Sequence, residues 1–261
     1  MAFNHQITII GSGNVAWHLA HAFKNAGVGI CSIISRTESN ACTLAGITGS
    51  KYSTSLGAVP QTCTLVLICT SDSAIENIAR ELSYLKIPVA HTSGSIPLSA
   101  IGQHCAQAGV FYPVQTFTKN IRAGKVSFPV CIEAVSPKTE NMLYDLAKRV
   151  SEKVCTISSE KRRKLHLAAV MTNNFTNFLI ASAYEFLEQE NIDPGILVPL
   201  VRETTEKIKY DQPYNLQTGP ARRGDKKTLE QHLGLLAGNK KLYEIYTLLS
   251  DYIAEHYKNT K

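Results

Sequence analysis

No apolar run in this 261-residue chain approaches the roughly eighteen residues that a membrane-spanning helix needs, so no span is expected. The opening MAFNHQITIIGSG lacks a basic start, an apolar stretch and a small-residue cleavage site. It does not read as a signal peptide, and the expected location is cytoplasmic. No CxxC pair occurs among Cys31, Cys42, Cys63, Cys69, Cys105, Cys131 and Cys155, which argues against a zinc ribbon or a redox dithiol, and no metal site is expected. In LVLICT and FPVCIE the cysteines read as buried, inert thiols. Zinc fingers, aromatic RNA-binding signatures and internal repeats are missing too. A formal charge of +6 suits an anionic small molecule but is too mild to argue for nucleic acid. Neither nucleic acid nor membrane is therefore an expected partner.

What is present is an ordinary globular composition, 44% hydrophobic and 18% charged. Up to about residue 158, short apolar runs alternate with helical patterns. QITII (6–10), VGICSII (28–34), TLVLICT (64–70), PVAHTS (88–93), GVFYPV (109–114), SFPVCIEA (127–134) and KVCTIS (153–158) read as strands. Helices are expected over 15–27, 73–85 and 138–152. Near-continuous apolar strands separated by helices predict a mostly parallel sheet covered on both faces. Beyond Ser158 the pattern is helical: 160–191, 194–210, 226–238 and 239–259, with a Pro/Gly-bearing loop over 211–225. The expected organisation is an α/β domain (1–158) followed by an all-α domain (159–261).

GSGNVA (11–16) follows the first strand and opens a helix. In this GxGxxA pattern Gly11 allows a tight turn, Gly13 lets backbone approach a pyrophosphate, and Ala16 lets helix pack on strand. The N–H groups of Ser12, Asn14 and Val15 are then offered to phosphate at a helix N-terminus. Glycine turns are common, but this one lies before an amphipathic helix and a second strand on schedule. That second strand ends in IISRTE (33–38), where an NAD site usually has an acid to hold the ribose hydroxyls. Ser35, Arg36 and Thr37 stand there instead, and a guanidinium flanked by hydroxyls suits a 2′-phosphate. The expected cofactor is NADP. The plainer alternative makes Arg36 a solvated residue and Thr37 a helix cap.

Cys69, Thr70 and Ser71 follow the next clear strand, in the loop zone where open sheets bind ligands, although Ser71 or Asp72 also suits a helix cap. HTSGSIP (91–97) offers three hydroxyls and a glycine, a nest for a carboxylate or carbonyl oxygen, or simply a turn. In FYPVQTF (111–117), Pro113 interrupts ladder bonding, and Tyr112, Gln115 and Thr116 are expected to face the same cleft. On the helix HLAAVMTNNFTNFL (166–179), Asn173 and Asn177 lie roughly 20° to either side of His166 at 100° per residue, and Asn174 about 80° away. The rest of that segment is apolar enough to be buried. The amides serve a substrate or hydrogen bonds between helices; His166 is a candidate general acid or base. In TGPARRGD (218–225), Asp225 reads as a helix N-cap, and Arg222 and Arg223 face an anion or solvent. KRRK (161–164) reads as an exposed helix start.

GSGNVA, SRT, ICTSDSAI, HTSGS, FYPVQTF, the H…NNF helix and TGPARRGD together resemble, in order, a family of uncharacterised bacterial proteins. Its members join a Rossmann domain to a helical domain of unknown function and are usually labelled provisionally as NADP oxidoreductases. More distantly the chain is similar to pyrroline-5-carboxylate reductase, 3-hydroxyisobutyrate dehydrogenase, 6-phosphogluconate dehydrogenase and ketopantoate reductase. The resemblance implies a second domain like that of 6-phosphogluconate dehydrogenase, a homodimer with interlocked helical domains, and a site in the interdomain cleft. It places Ser93 and Gly94 near substrate and matches Asn174 to the family asparagine, while helix arithmetic favours Asn173. The lysine that should stand one turn before that asparagine is Val170, which puts the standard hydroxyacid mechanism in doubt. The resulting expectation is an NADP-dependent oxidoreductase of a small carbonyl, imine or hydroxyacid. His166, Asn174 and Ser93 would be catalytic, and Gly94, Pro113, Thr116, Asn173, Arg223 and Asp225 would meet a substrate expected to be anionic. The alternative is an inactive NADP-binding sensor.

Overall fold

The computed structural model describes residues 5–119 and 128–258; Ser127 and Asn259, at the ends of an expected strand and helix, lie outside the described residues. By its contacts the chain divides into two compact units, Met1–Asn174 and Phe175–Lys261. In the first, eight strands form one sheet: β1 (Gln6–Ile10), β2 (Gly29–Ile34), β3 (Lys51–Ser53), β4 (Leu65–Ile68), β5 (Val89–His91), β6 (Ala108–Pro113), β7 (Val130–Ala134) and β8 (Val154–Thr156). Their spatial order is β3-β2-β1-β4-β5-β6-β7-β8. Neighbours run parallel except β6 and β7. Pro113 ends β6 opposite Val130, where a missing N–H costs the ladder least.

The helices of this unit are α1 (Asn14–Asn25), α2 (Glu38–Thr48), α3 (Asp72–Glu81), α4 (Ser99–Gly102), α5 (Pro137–Lys148) and α6 (Ser159–Ala169). Every residue of β4 is buried, as a parallel strand covered on both faces requires. Leu65 and Leu67 join Leu19, Phe23 and Leu143 in one apolar layer; Val66 and Ile68 join Ile75, Leu82 and Ile101 in the other. The order of strands reverses direction between β1 and β4. That switch point leaves a crevice beyond the carboxyl ends of the strands, which is where open α/β sheets bind ligands.

A π-helical segment, Val170–Phe175, follows α6. The second unit then contains α7 (Thr176–Gln189), α8 (Val198–Lys207), α9 (Pro213–Leu216), α10 (Pro220–Arg223), α11 (Lys226–Leu235) and α12 (Lys240–Lys258). The expected 211–225 loop thus holds two single-turn helices, α10 being bracketed by Gly219 at φ 105° and Gly224 at φ 71°. Asp225 caps α11, accepting from Thr228 N at 3.2 Å and Thr228 Oγ1 at 2.8 Å. Among its described residues only Ala221 and Leu236 are buried, while Phe178, Leu200, Leu248 and Tyr252 are exposed. The expectation that the apolar part of 166–179 is buried is not met: among the described residues Leu167 is 61% exposed and Phe175 57%. No described helix is long and apolar enough to cross a membrane.

Candidate functional site

The glycine turn joins β1 to α1 at the switch point. Gly11 has φ +116°, and a Cβ there would lie 2.2 Å from the Cys69 carbonyl oxygen, so the turn packs directly on the end of β4. Gly11 N donates to Ile34 O, and Cys69 N to Ile10 O, both at 2.7 Å. Gly13 stands at the N-cap of α1. No acid lies in the first turn of that helix, and a Cβ on Gly13 would meet nothing within 4 Å. The mouth of the helix is therefore open and electropositive. Ser12 Oγ lies 2.7 Å from Ser35 Oγ, tying this turn to the end of β2. Asn14 Oδ1 accepts from Lys119 N at 3.3 Å, and Val15 packs on the core.

Arg36 and Thr37 are exposed. Arg36 forms no ion pair with any described residue, and Thr37, although at the N-cap of α2, makes no side-chain cap bond. Cys69 is buried, as expected, and burial pushes its thiol up to about 12. Thr70 is half-buried beside it; Ser71 occupies the N-cap position of α3 without a side-chain cap bond.

A cavity of about 270 Å³ lies in the first unit, between the end of β6 and the helix that follows Ser158. Tyr112, Gln115, Thr116, His166, Asn173 and Asn174 supply its polar walls; Val114, Ala169 and Val170 supply apolar ones. Tyr112 Oη is 3.2 Å from His166 Nδ1, with the rings edge-on at 79°. Gly94 sits against both: a Cβ there would lie 2.7 Å from His166 Nδ1 and 2.9 Å from Tyr112 Cζ. Asn173 Nδ2 donates to Thr116 Oγ1. Both candidate asparagines thus share a cavity with His166. Arg223 and Asp225 belong to the second unit, as does Asn177.

The hydroxyls of HTSGSIP are engaged by the loop itself and by the neighbouring ends of β4 and α3. Ser93 Oγ accepts from Ser95 N and Ile96 N, each at 3.1 Å; Thr92 Oγ1 donates to Ile68 O, and Ser95 Oγ donates to Asp72. Ser93 and Pro113 are buried and do not line the cavity.

Behind the pocket lies an ion pair that sequence reasoning missed. Within KRRK, Arg162 is not exposed but 1% accessible, and its guanidinium donates to Glu133 and to the Ile96 carbonyl. Ser159 N and Oγ donate to Glu133 at 2.8 and 2.7 Å, and Leu98 N donates to Ser159 Oγ at 2.9 Å. The network fastens the N-terminal turn of α6 to β7 and to the 93–98 loop. Two signals pointed to it. A glutamate in an apolar strand needs a partner, and Arg162 shares a helix face with His166 four residues on. Nearby, buried His91 accepts from Ser93 N through Nδ1 at 3.2 Å. Burial, reinforced by the charge of Arg162, brings its pKa down to about 4.

Two family models match the chain: "NADP oxidoreductase coenzyme F420-dependent" over residues 6–89 and "Domain of unknown function (DUF2520)" over residues 128–253. No curated protein matches it. A crystal structure of a Bacteroides fragilis protein, provisionally termed an NADP oxidoreductase, is 37% identical, covering 97% of this chain and 98% of that one at a TM-score of 0.91. An imine reductase from Myxococcus stipitatus in complex with NADP+ is 14% identical over 97% and 93% of the two chains, with a TM-score of 0.64. A pyrroline-5-carboxylate reductase from Coxiella burnetii is 15% identical over 98% of each, with a TM-score of 0.61. These last two likenesses show the fold alone. With the 37% identity running nearly end to end, the chain belongs to the NADP oxidoreductase family in which a Rossmann-type unit is followed by the helical DUF2520 region.

Proposed function

We propose that the protein is an NADP-dependent oxidoreductase whose His166 pocket takes a small carbonyl, imine or hydroxyacid. The observation that carries this reading is the convergence of His166, Tyr112, Thr116, Asn173 and Asn174 on one cavity, in the unit that also carries the glycine turn. A dinucleotide fits the residues present: the space over Gly13 is open, the helix mouth bears no acid, and the exposed Arg36 guanidinium forms no ion pair with a described residue. The phosphates would rest on the N–H groups of residues 12–15 and a 2′-phosphate among Ser35, Arg36 and Thr37. The NADP+ in the Myxococcus imine reductase supports that choice.

When bound, the reduced nicotinamide supplies hydride; the chain has to orient the acceptor and manage a proton. Asn173, Asn174 and Thr116 offer amide and hydroxyl groups for orientation. Val170 stands where the resemblance leads one to expect lysine, so proton handling falls to His166. Apart from that imidazole and the phenol, no ionisable side chain is among the lining residues, which favours an uncharged hydrogen-bonding group at the reacting carbon over an anionic one. The exposed apolar side chains of the second unit support a homodimer, and seven free thiols support a reducing, cytoplasmic location.

Val170 also favours a second reading, an NADP-binding module without chemistry. Saturating NADPH with panels of carbonyls and imines separates the two. Turnover that is lost in His166→Ala supports the enzyme; micromolar NADPH binding with no turnover on any panel overturns it.

A further inference from the structure

We infer that Tyr112 is the positioning residue that holds His166 in the Nε2–H tautomer, so that the pocket presents a neutral N–H donor to a carbonyl oxygen. The inference deepens the function proposed above and rests on His166 being its proton-handling group. A phenol and an imidazole 3.2 Å apart share one hydrogen. Among the described residues the Tyr112 hydroxyl has no other hydrogen-bond partner, and burial raises its pKa above the usual phenol range, so it keeps its proton near neutrality. The proton therefore points at Nδ1, which must be bare, and the ring hydrogen of neutral His166 sits on Nε2.

The contact is held from three sides. Tyr112 is fixed in β6 opposite Cys131 of β7. His166 rides on α6, whose preceding turn is anchored by the buried Arg162–Glu133 pair. Gly94 leaves just the room that the two rings occupy. A bare Nδ1 has a consequence for ligand class. Nε2–H complements an acceptor, such as a ketone or aldehyde oxygen, and opposes a protonated imine, whose N–H is itself a donor. As the carbonyl oxygen gains charge, the Nε2–H and Tyr112 O–H bonds break while O–H and Nδ1–H bonds form. His166 ends neutral in the other tautomer. The negative charge passes to the Tyr112 oxygen, where burial disfavours it and Arg162 offsets only part of that cost, so water promptly returns a proton and leaves as hydroxide.

The test is nitrogen-detected NMR of imidazole tautomers in the full chain without added ligands, so it does not depend on turnover. His166 is assigned by loss of its signals in His166→Gln. The expected spectrum, taken at alkaline pH so that imidazoles are neutral, has a bare Nδ1 and a protonated Nε2. In Tyr112→Phe, which keeps the ring, the two nitrogen shifts should converge toward a mixture of tautomers. A protonated Nδ1 in the wild type overturns the inference, as does an unchanged tautomer in a folded Tyr112→Phe. If that variant does not fold, the wild-type spectrum still decides. A fixed Nε2–H tautomer in a protein that turns over no carbonyl would refute the function while leaving the positioning intact.

Discussion

Replacing Gly94 by alanine puts one methyl group against the Tyr112–His166 contact. Gly94 is not in the left-handed region, so its backbone conformation suits alanine, and the whole effect is steric. The new Cβ would lie 2.7 Å from His166 Nδ1, 2.8 Å from Cγ and 2.9 Å from Tyr112 Cζ, each well inside van der Waals contact. Overpacking of a tight core costs about 1–3 kcal/mol. Tyr112 is locked in the sheet, but His166 is only half-buried and borders the cavity, so its ring can swing outward. That relief puts the cost near the low end, about 1 kcal/mol, or a fall of about 2–4 °C in Tm for a unit of this size. The chemistry should suffer more. Positioned acid–base groups contribute on the order of 10²–10⁴ in rate, and a displaced imidazole forfeits much of it.

The assay pairs thermal unfolding with NADPH affinity and turnover. The expected pattern is a small loss in Tm, unchanged NADPH affinity and at least a tenfold loss in kcat. Gly46→Ala in α2 is the control: its Cβ meets nothing within 4 Å, and an open helical site should gain about 1 kcal/mol. Full turnover in Gly94→Ala would refute the claim that the contact matters. Turnover and NADPH affinity falling together would assign the effect to the fold.

Arg36→Asp should weaken NADPH by about 1.5–3 kcal/mol, roughly 10- to 150-fold, and leave NADH unchanged or tighter; titration calorimetry with both cofactors checks it, and equal losses reject the 2′-phosphate role. Gly11→Ala combines positive φ with a Cβ 2.2 Å from backbone and should abolish soluble, cooperatively folding protein, so a variant with wild-type Tm would contradict the packing of this turn on β4. His91, normally near 6.5, is held to about 4 by burial, so the unfolded chain takes up its proton first as pH falls. Its contribution is full above about pH 6.5 and is lost progressively down to about pH 4, by about 3 kcal/mol. Urea unfolding at pH 7 and pH 4.5 should show a shallower pH dependence in His91→Asn, and parallel slopes would exclude this group as the source.

The strands that matter were legible because parallel strands buried on both faces read as unbroken apolar runs, as LVLI does. The turn at Gly11 was legible because its backbone demands are local. Nothing in 38–63 announces its elements. α2 is rich in serine, threonine and asparagine, and β3 is three mostly exposed residues whose pairing with β2 is supplied by the sheet. Arg162 was hidden for a different reason. Within KRRK one side chain of four is buried, and only the partner Glu133, 29 residues earlier, shows which. Ser93 and Tyr112 exchanged prominence on similar grounds. Both stand in loops or strand ends facing one cleft, but the serine hydroxyl is consumed by its own turn and the phenol by His166.

The conflict between Asn173 and Asn174 has a physical source in the π-helical segment. A step of 100° per residue holds only while bonds close from i to i+4. Over Val170–Phe175 they close from i to i+5, which widens the turn and shortens each angular step. Counted from His166, shorter steps beyond Val170 carry Asn174 back toward the His166 line and leave Asn173 short of it. The two amides then flank the imidazole instead of one displacing the other, and both line the cavity. A regular helix would have turned one of them away. π-segments are rare, occur mostly as single turns inside α-helices, and are frequent at functional sites. Here the irregular turn brings two adjacent amides to the pocket, with Asn173 bound to Thr116.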